Sequence, residues 1–166
     1  GSRQGFRIFL FGSSARRGAM WRSKLGNAYP KELIESLDAE HHGILKALKK
    51  QPENSRCAEC GDGSTSWASV NLGVFLCVRC SDVHRGLGTH ISKVKSCSGT
   101  YLWGPDEIER MRSVGNAVAR ERYGREAPRP QVEATKEERL DLCRRKYERR
   151  EWAPSPSEAA PAVTEP

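Results

Sequence analysis

The sequence predicts an α+β fold, a small C4 zinc-finger module with a short three-stranded sheet surrounded by about five helices. Three observations carry it. Cys57, Cys60, Cys77 and Cys80 are spaced C-x2-C-x16-C-x2-C. A thiolate pair two residues apart grips one face of an ion, and two pairs close the tetrahedral S4 shell that zinc favours. Between and just beyond the pairs lie short runs of valine, leucine and aromatic residues broken by turn residues, which is strand composition. The flanking segments repeat apolar residues at helical spacing. A closed shell has no open position for substrate or water, so the one zinc ion is structural. Any chemistry then falls to a side chain that the metal holds in place. Arg85, the fifth residue after Cys80, is the leading candidate.

Taken in order, residues 1–29 read as a tag, leader or flexible extension, 30–151 as the zinc-finger domain and 152–166 as a disordered tail. The first twenty residues are arginine-rich and acid-free. They have the composition of a mitochondrial-type presequence, but Gly1-Ser2 favours an added extension ahead of Met20. Pro30 suits a first helical position, and Leu33, Leu37, Ile44, Leu45 and Leu48 make an apolar stripe. Gly43 is a candidate break in it, and Gln51-Pro52 ends it. Cys57-Ala58-Glu59-Cys60-Gly61 reads as a knuckle, with Gly61 permitting the tight turn behind the thiolates. Trp67 to Leu76 reads as two strands with a turn near Asn71 to Gly73, the second strand delivering Cys77. A helix from Ser81 to Arg85 ends at Gly86 or Gly88, and Ile91 to Ser96 alternates as a third strand. Pro105 opens a helix with Asp106, Glu107 and Glu109 near its positive end. Its apolar face is Ile108, Met111, Val114 and Val118, and Gly115-Asn116 is a kink or restart. Thr135-x-x-Glu138 is a capping box for the last helix, which sets Leu140, Cys143 and Tyr147 on one side and pairs Asp141 with Arg145 at i,i+4. Beyond Trp152 the chain is rich in Pro, Ala, Ser and Glu.

The net charge of +7 is unevenly placed, with seven Arg or Lys and no acid before Glu32. From Pro105 to Glu151 acids and bases alternate, as on solvated helix faces. The balance favours an acidic partner surface, an anionic membrane or nucleic acid. Six cysteines could make three disulfides in a secreted protein, but two C-x2-C pairs are a metal pattern, and a reducing cytosolic setting fits them better. Every apolar run is far shorter than the ~20 residues of a membrane span. There is no G-x-x-x-x-G-K-[ST] loop for a nucleotide and no Ser/His/Asp constellation. Cys97 and Cys143 lack ligand spacing and read as small buried residues. His84 and His90 read as structural, because four thiolates already fill the shell. For Arg85 two readings stay open on spacing alone. It is a surface arginine, or one paired with Asp82; or it is a rigid guanidinium that enters another protein's active site and neutralises charge on a transferring phosphoryl group.

From Pro52 to Ser96 the chain resembles the catalytic domain of the Arf GTPase-activating proteins. The residues that carry the resemblance are Cys57-Ala58-Glu59-Cys60-Gly61, Trp67-Ala68-Ser69-Val70-Asn71-Leu72-Gly73, Cys77, Cys80, His84-Arg85 and Lys93-Val94-Lys95-Ser96. Weaker similarity continues through Trp103, Met111, Gly115-Asn116 and Lys146-Tyr147. The resemblance implies a zinc finger with a three-stranded sheet, surrounded by helices. It implies that Arg85 is an arginine finger, supplied in trans to a GTP-loaded Arf-family GTPase, with no intrinsic catalysis by this chain. Trp67 and Val78 match positions tied to activity or Arf contact, and Lys93 and Lys95 match basic positions that would face an acidic GTPase surface. Asn71 and His90 match positions that maintain the fold. A role in vesicle trafficking follows, for a cytoplasmic protein recruited peripherally to Golgi or endosomal membranes.

The chain departs from the family after Ser96. Where the family has a stretch like Leu-Thr-Leu-Asp-x-Trp, this sequence reads Cys97-Ser98-Gly99-Thr100-Tyr101-Leu102-Trp103, one residue longer and without the Asp. The resemblance places that Leu-Asp pair near the GTPase interface, so the departure bears on efficiency and Arf preference. Two rivals remain: a scaffold that binds Arf without catalysis, and a GATA-like nucleic-acid-binding zinc finger. Against the second, Ser81-Asp82-Val83-His84 rather than a dense basic run follows Cys80.

Overall fold

A computed structural model describes residues 18–155. The tail beyond 155 and the arginine-rich start before 18, most of the segment read as a tag, leader or flexible extension, lie outside the described residues. A three-stranded antiparallel sheet, ordered β4-β3-β5, is formed by β3 (Trp67–Ser69), β4 (Val74–Leu76) and β5 (Val94–Ser96). Its pleat divides the core. Val74 and Leu76 join Cys57, Cys77, Cys80 and Val83 on one side, while Phe75, Ala68 and Val70 join Leu45, Leu48, Trp103 and Met111 on the other. That two-sided burial explains why all three residues of β4 are inaccessible.

Helix α1 runs unbroken from Lys31 to Lys50. Pro30 precedes it in extended geometry rather than opening it, and Gly43 sits inside it without a break. Gln51 is extended ahead of Pro52 and ends the helix as expected. Helix α2 (Val78–Gly86) starts directly on the metal segment, three residues earlier than the sequence suggested. Helices α3 (Pro105–Ser113) and α4 (Gly115–Tyr123) are separated at Gly115, whose φ of +66° only glycine adopts easily, so the sequence break is a restart. The next residue, Asn116, is a hub. Its backbone N–H donates to Asn54 Oδ1 at 2.9 Å, its Oδ1 accepts from the Phe75 N–H at 2.7 Å, and its Nδ2 donates to the Arg56 carbonyl at 2.7 Å. Helix α4 is thereby tied to β4 and to the loop that leads into the first cysteine pair.

Helix α5 (Lys136–Cys143) opens with the expected capping box, Thr135 and Glu138 exchanging bonds. It then widens into a π-helical turn, Arg144–Glu148. The wider turn removes the register that an Asp141–Arg145 pair requires, and Arg145 bonds Glu151 Oε2 instead at 2.8 Å. Among the described residues no helix is long and apolar enough to cross a membrane.

The structure differs from expectation at the front of the domain. Strands β1 (Met20–Arg22) and β2 (Ala28–Pro30) form an antiparallel hairpin folded onto α3. Ser23 Oγ donates to Asp106 Oδ2 at 2.6 Å, and the Lys24 N–H donates to Glu107 Oε1 at 2.8 Å. The folded unit therefore includes part of the segment read as an extension.

The hairpin also corrects the reading of Lys95 as a partner-facing cation. Lys95 is only 3% exposed; its ammonium lies 2.6 Å from Glu107, and the rings of Trp21 and Trp103 flank it at 4.9 Å each. Burial pushes the Lys95 pKa down, against the pull of Glu107. Glu107 is itself fully buried and accepts the Gly104 N–H at 2.8 Å. Glu107→Ala would strand a buried ammonium and two backbone donors. We expect it to lower unfolding stability by about 3–5 kcal/mol, read from the midpoint of a urea transition.

Candidate functional site

The knuckle and the start of α2 bring the four predicted cysteines together. Gly61, at φ +77°, turns the chain back so that its N–H donates to the Cys57 carbonyl at 2.9 Å. Cys77 leaves β4 and caps α2, its sulfur accepting the Cys80 N–H at 3.4 Å. The four Sγ atoms lie within 4.8 Å of one another, and none is in a disulfide. Cys60 Sγ and Cys77 Sγ are 3.7 Å apart. A tetrahedron with metal–sulfur bonds of about 2.3 Å has edges of about 3.8 Å, so this spacing suits one metal ion held by four thiolates.

Beneath the cluster is a buried polar network that the sequence reading missed. Glu59, inside the first knuckle, receives Lys146 Nζ at 3.0 Å and a short hydrogen bond from the Tyr147 hydroxyl. His84 Nε2 lies 3.4 Å from Glu59 Oε1, and His84 Nδ1 is 2.9 Å from Ser92 Oγ, which donates to Ser69 Oγ at 2.8 Å. Burial alone would raise the Glu59 pKa; Lys146, His84 and Tyr147 together hold the carboxyl well below the usual carboxylate range. The network pins α2 between the knuckle, the sheet and the π-helical turn, and it bears out His84 as structural.

Glu59, His84 and Cys143 also come within ligand distance of one another. Burial pushes the Cys143 thiol up, and the carboxylate is already engaged by Lys146 and Tyr147, so this trio is a packed network rather than a second shell. Burial likewise pushes the Cys97 thiol up to about 12. Both cysteines are the small buried residues the sequence suggested.

Arg85 is exposed on the last turn of α2. Its guanidinium carbon stands 4.4 Å from the centre of the Trp67 ring. The expected rival partner, Asp82, pairs with Lys136 at 2.6 Å instead. Among the described residues no carboxylate forms an ion pair with Arg85, so the fork of the guanidinium is open to an incoming anion. Trp67, at the start of β3, is half-buried and packs its body against the metal-side core. Val78, the first residue of α2, is 65% exposed, and Lys93 is half-buried. Asn71 serves the fold: its Nδ2 donates to the Ile91 carbonyl and its Oδ1 accepts the Lys93 N–H, each at 2.8 Å. The remaining predicted contact, Lys95, is inaccessible.

Comparison with known proteins gives a consistent picture. Residues 42–156 match the ArfGap family model, described as "Putative GTPase activating protein for Arf". The chain is 39% identical over 132 residues to the "Probable ADP-ribosylation factor GTPase-activating protein AGD15" of Arabidopsis thaliana, covering 79% of this chain and 55% of that protein. It is 37% identical over 126 residues to "Stromal membrane-associated protein 1" of Homo sapiens, covering 74% of this chain and 26% of that protein. It thus spans little more than half of the first of these relatives and about a quarter of the second. Among solved structures, the ArfGap domain of HIV-1 Rev binding protein shares the fold, with a TM-score of 0.66 at 23% identity over 77% of this chain and 98% of that one. The ArfGap domain of human RIP gives a TM-score of 0.62 at 25% identity, over 75% and 95% of the two chains.

Proposed function

The chain belongs to the ArfGap family, and on that premise we propose that it activates GTP hydrolysis on an Arf-family small GTPase by supplying Arg85 in trans. The observation that carries this reading is an exposed guanidinium, paired with no carboxylate among the described residues, on a short helix whose first turn is part of a four-cysteine cluster. The cluster takes zinc, the ion that four thiolates in a tetrahedron select. Its task is mechanical. Closing the knuckle onto Cys77 and Cys80 fixes the N-terminus of α2, and the Glu59–His84 network fixes its buried side. The finger is then presented with little ordering entropy left to lose on docking.

The partner brings the nucleotide, its Mg²⁺ and the residue that positions the attacking water. This chain brings a planar cation to the charge that builds on the transferring phosphoryl group. Val78, Trp67 and Lys93 lie on accessible or half-accessible surface and would meet the GTPase around that point. The protein would act in the cytoplasm, recruited peripherally to Golgi or endosomal membranes where GTP-loaded Arf resides.

The test is single-turnover hydrolysis on myristoylated, GTP-loaded Arf presented on liposomes. Acceleration by the chain supports the reading. Binding to GTP-loaded Arf without acceleration would replace it with the scaffold reading. Tight binding to DNA that falls steeply with salt would point instead to a nucleic-acid finger. Val78→Asp places a charge on the proposed contact. We expect it to raise the half-saturating concentration by about tenfold while leaving thermal stability unchanged.

A further inference from the structure

We infer that Tyr101 is a positioning residue for Arg85, acting through the Trp67 ring; the inference rests on the proposed function for its consequence and on geometry for its existence. Tyr101 belongs to the stretch between Cys97 and Trp103, which departs from the family pattern. Both ends of that stretch are fixed. Cys97 is buried and its N–H donates to the Ser66 carbonyl at 2.9 Å; Trp103 is fully buried and its Nε1 donates to the Ser96 carbonyl at 3.0 Å. The turn between them is tied by one hydroxyl contact and one backbone bond: Ser98 Oγ is 2.6 Å from Ser96 Oγ at the end of β5, and the Thr100 N–H donates to the Ser98 carbonyl at 2.8 Å. The Tyr101 carbonyl lies 3.0 Å from His42 Nε2 on α1.

The backbone is thus held, and the side chain is turned outward, 45% exposed, with its ring 6.5 Å from Trp67 at an angle of 59°. The Trp67 ring is half-buried, so the core alone does not fix it. It packs on the metal-side core, carries Arg85 at 4.4 Å and meets Tyr101. The order of contacts is Tyr101, Trp67, Arg85. Without Tyr101 the tryptophan gains rotational freedom, and the guanidinium loses a fixed platform. No hydrogen bond to the Tyr101 hydroxyl is found among the described residues, so the ring rather than the hydroxyl does the positioning.

The experiment compares Tyr101→Ala and Tyr101→Phe in two measurements. The first is the ¹⁵N–¹H signal of the Arg85 Nε–H, which the Trp67 ring current displaces. The alanine variant is expected to move it toward the position of a free arginine, and the phenylalanine variant to leave it in place. An unmoved signal in Tyr101→Ala overturns the inference, whatever the hydrolysis assay gives. The second is single-turnover hydrolysis on GTP-loaded Arf. The alanine variant is expected to lose about tenfold in maximal rate with an unchanged half-saturating concentration, and the phenylalanine variant to recover it. In an Arg85→Lys background, Tyr101→Ala should cost nothing further. A raised half-saturating concentration with an unchanged maximum would make Tyr101 a partner contact and overturn the positioning role. If the Arg85 signal moves while the wild type accelerates no Arf, the positioning stands and the proposed function falls.

Discussion

Arg85→Lys is expected to remove most of the acceleration of Arf-bound GTP hydrolysis while leaving the fold intact. An arginine finger is worth ~10³ to 10⁵ in rate. Lysine keeps the charge, so a large loss in this variant isolates what the guanidinium adds. Two properties are at stake. The planar fork makes two parallel hydrogen bonds to phosphoryl oxygens, which a point charge does not reproduce. The guanidinium carbon also lies over the Trp67 ring, 4.4 Å from its centre, a cation–π contact that restrains the side chain before the partner arrives. The cost to the fold is small, because the side chain is exposed and carries no ion pair among the described residues; surface changes of this kind stay within about 0.5 kcal/mol. Single-turnover rates at saturating protein, alongside an unfolding curve for each variant, make the check. A lysine variant that works nearly as well as wild type would mean that charge alone suffices, and the finger mechanism would not survive it.

The parts of this site that were legible in the sequence are those with a fixed spacing or a strong local pattern. The C-x2-C pairs are a geometric constraint written directly into residue numbers, and they come together as expected. The run from Trp67 to Leu76 shows its strands because turn residues interrupt an apolar stretch, and Thr135-x-x-Glu138 shows its cap because both partners are local. What stayed hidden depends on distant neighbours. Lys95 alternates correctly for a solvent-facing strand position, yet a hairpin more than sixty residues earlier covers it and Glu107 neutralises it. The hairpin itself has strands of three residues, too short for periodicity to register. Nothing local marks Glu59, between two cysteines of the knuckle, as buried; its partners Tyr147 and Lys146 return from the far end of the domain. Arg85 was ambiguous for the same reason: its sequence neighbour Asp82 was the plausible partner until Lys136 claimed it.

Stripping the metal is expected to unfold the metal side of the domain rather than merely silence the finger. The cysteines are not an appendage. Cys57, Cys77 and Cys80 are buried members of the same core cluster as Leu76, Val83 and Tyr147, and Cys77 also caps α2. Without the ion, four converging thiolates have no cation to balance their charge, and no disulfide replaces it. Structural zinc supplies an apparent ~10–16 kcal/mol, as much as or more than the roughly 5–15 kcal/mol net stability of an ordinary domain. A strong chelator should therefore abolish the near-ultraviolet dichroism and the cooperative melt together, and returning zinc should restore both. Cys77→Ala should behave like the chelated protein. Cys143→Ala and Cys97→Ala, which remove equally buried sulfurs outside the shell, should cost only about 1–3 kcal/mol and keep the metal. The contrast matters because burial is nearly the same at all three positions. If the chelated protein kept its tertiary signal and melted as before, α2 would be held by packing alone, and the four-cysteine cluster could not be the foundation on which Arg85 stands.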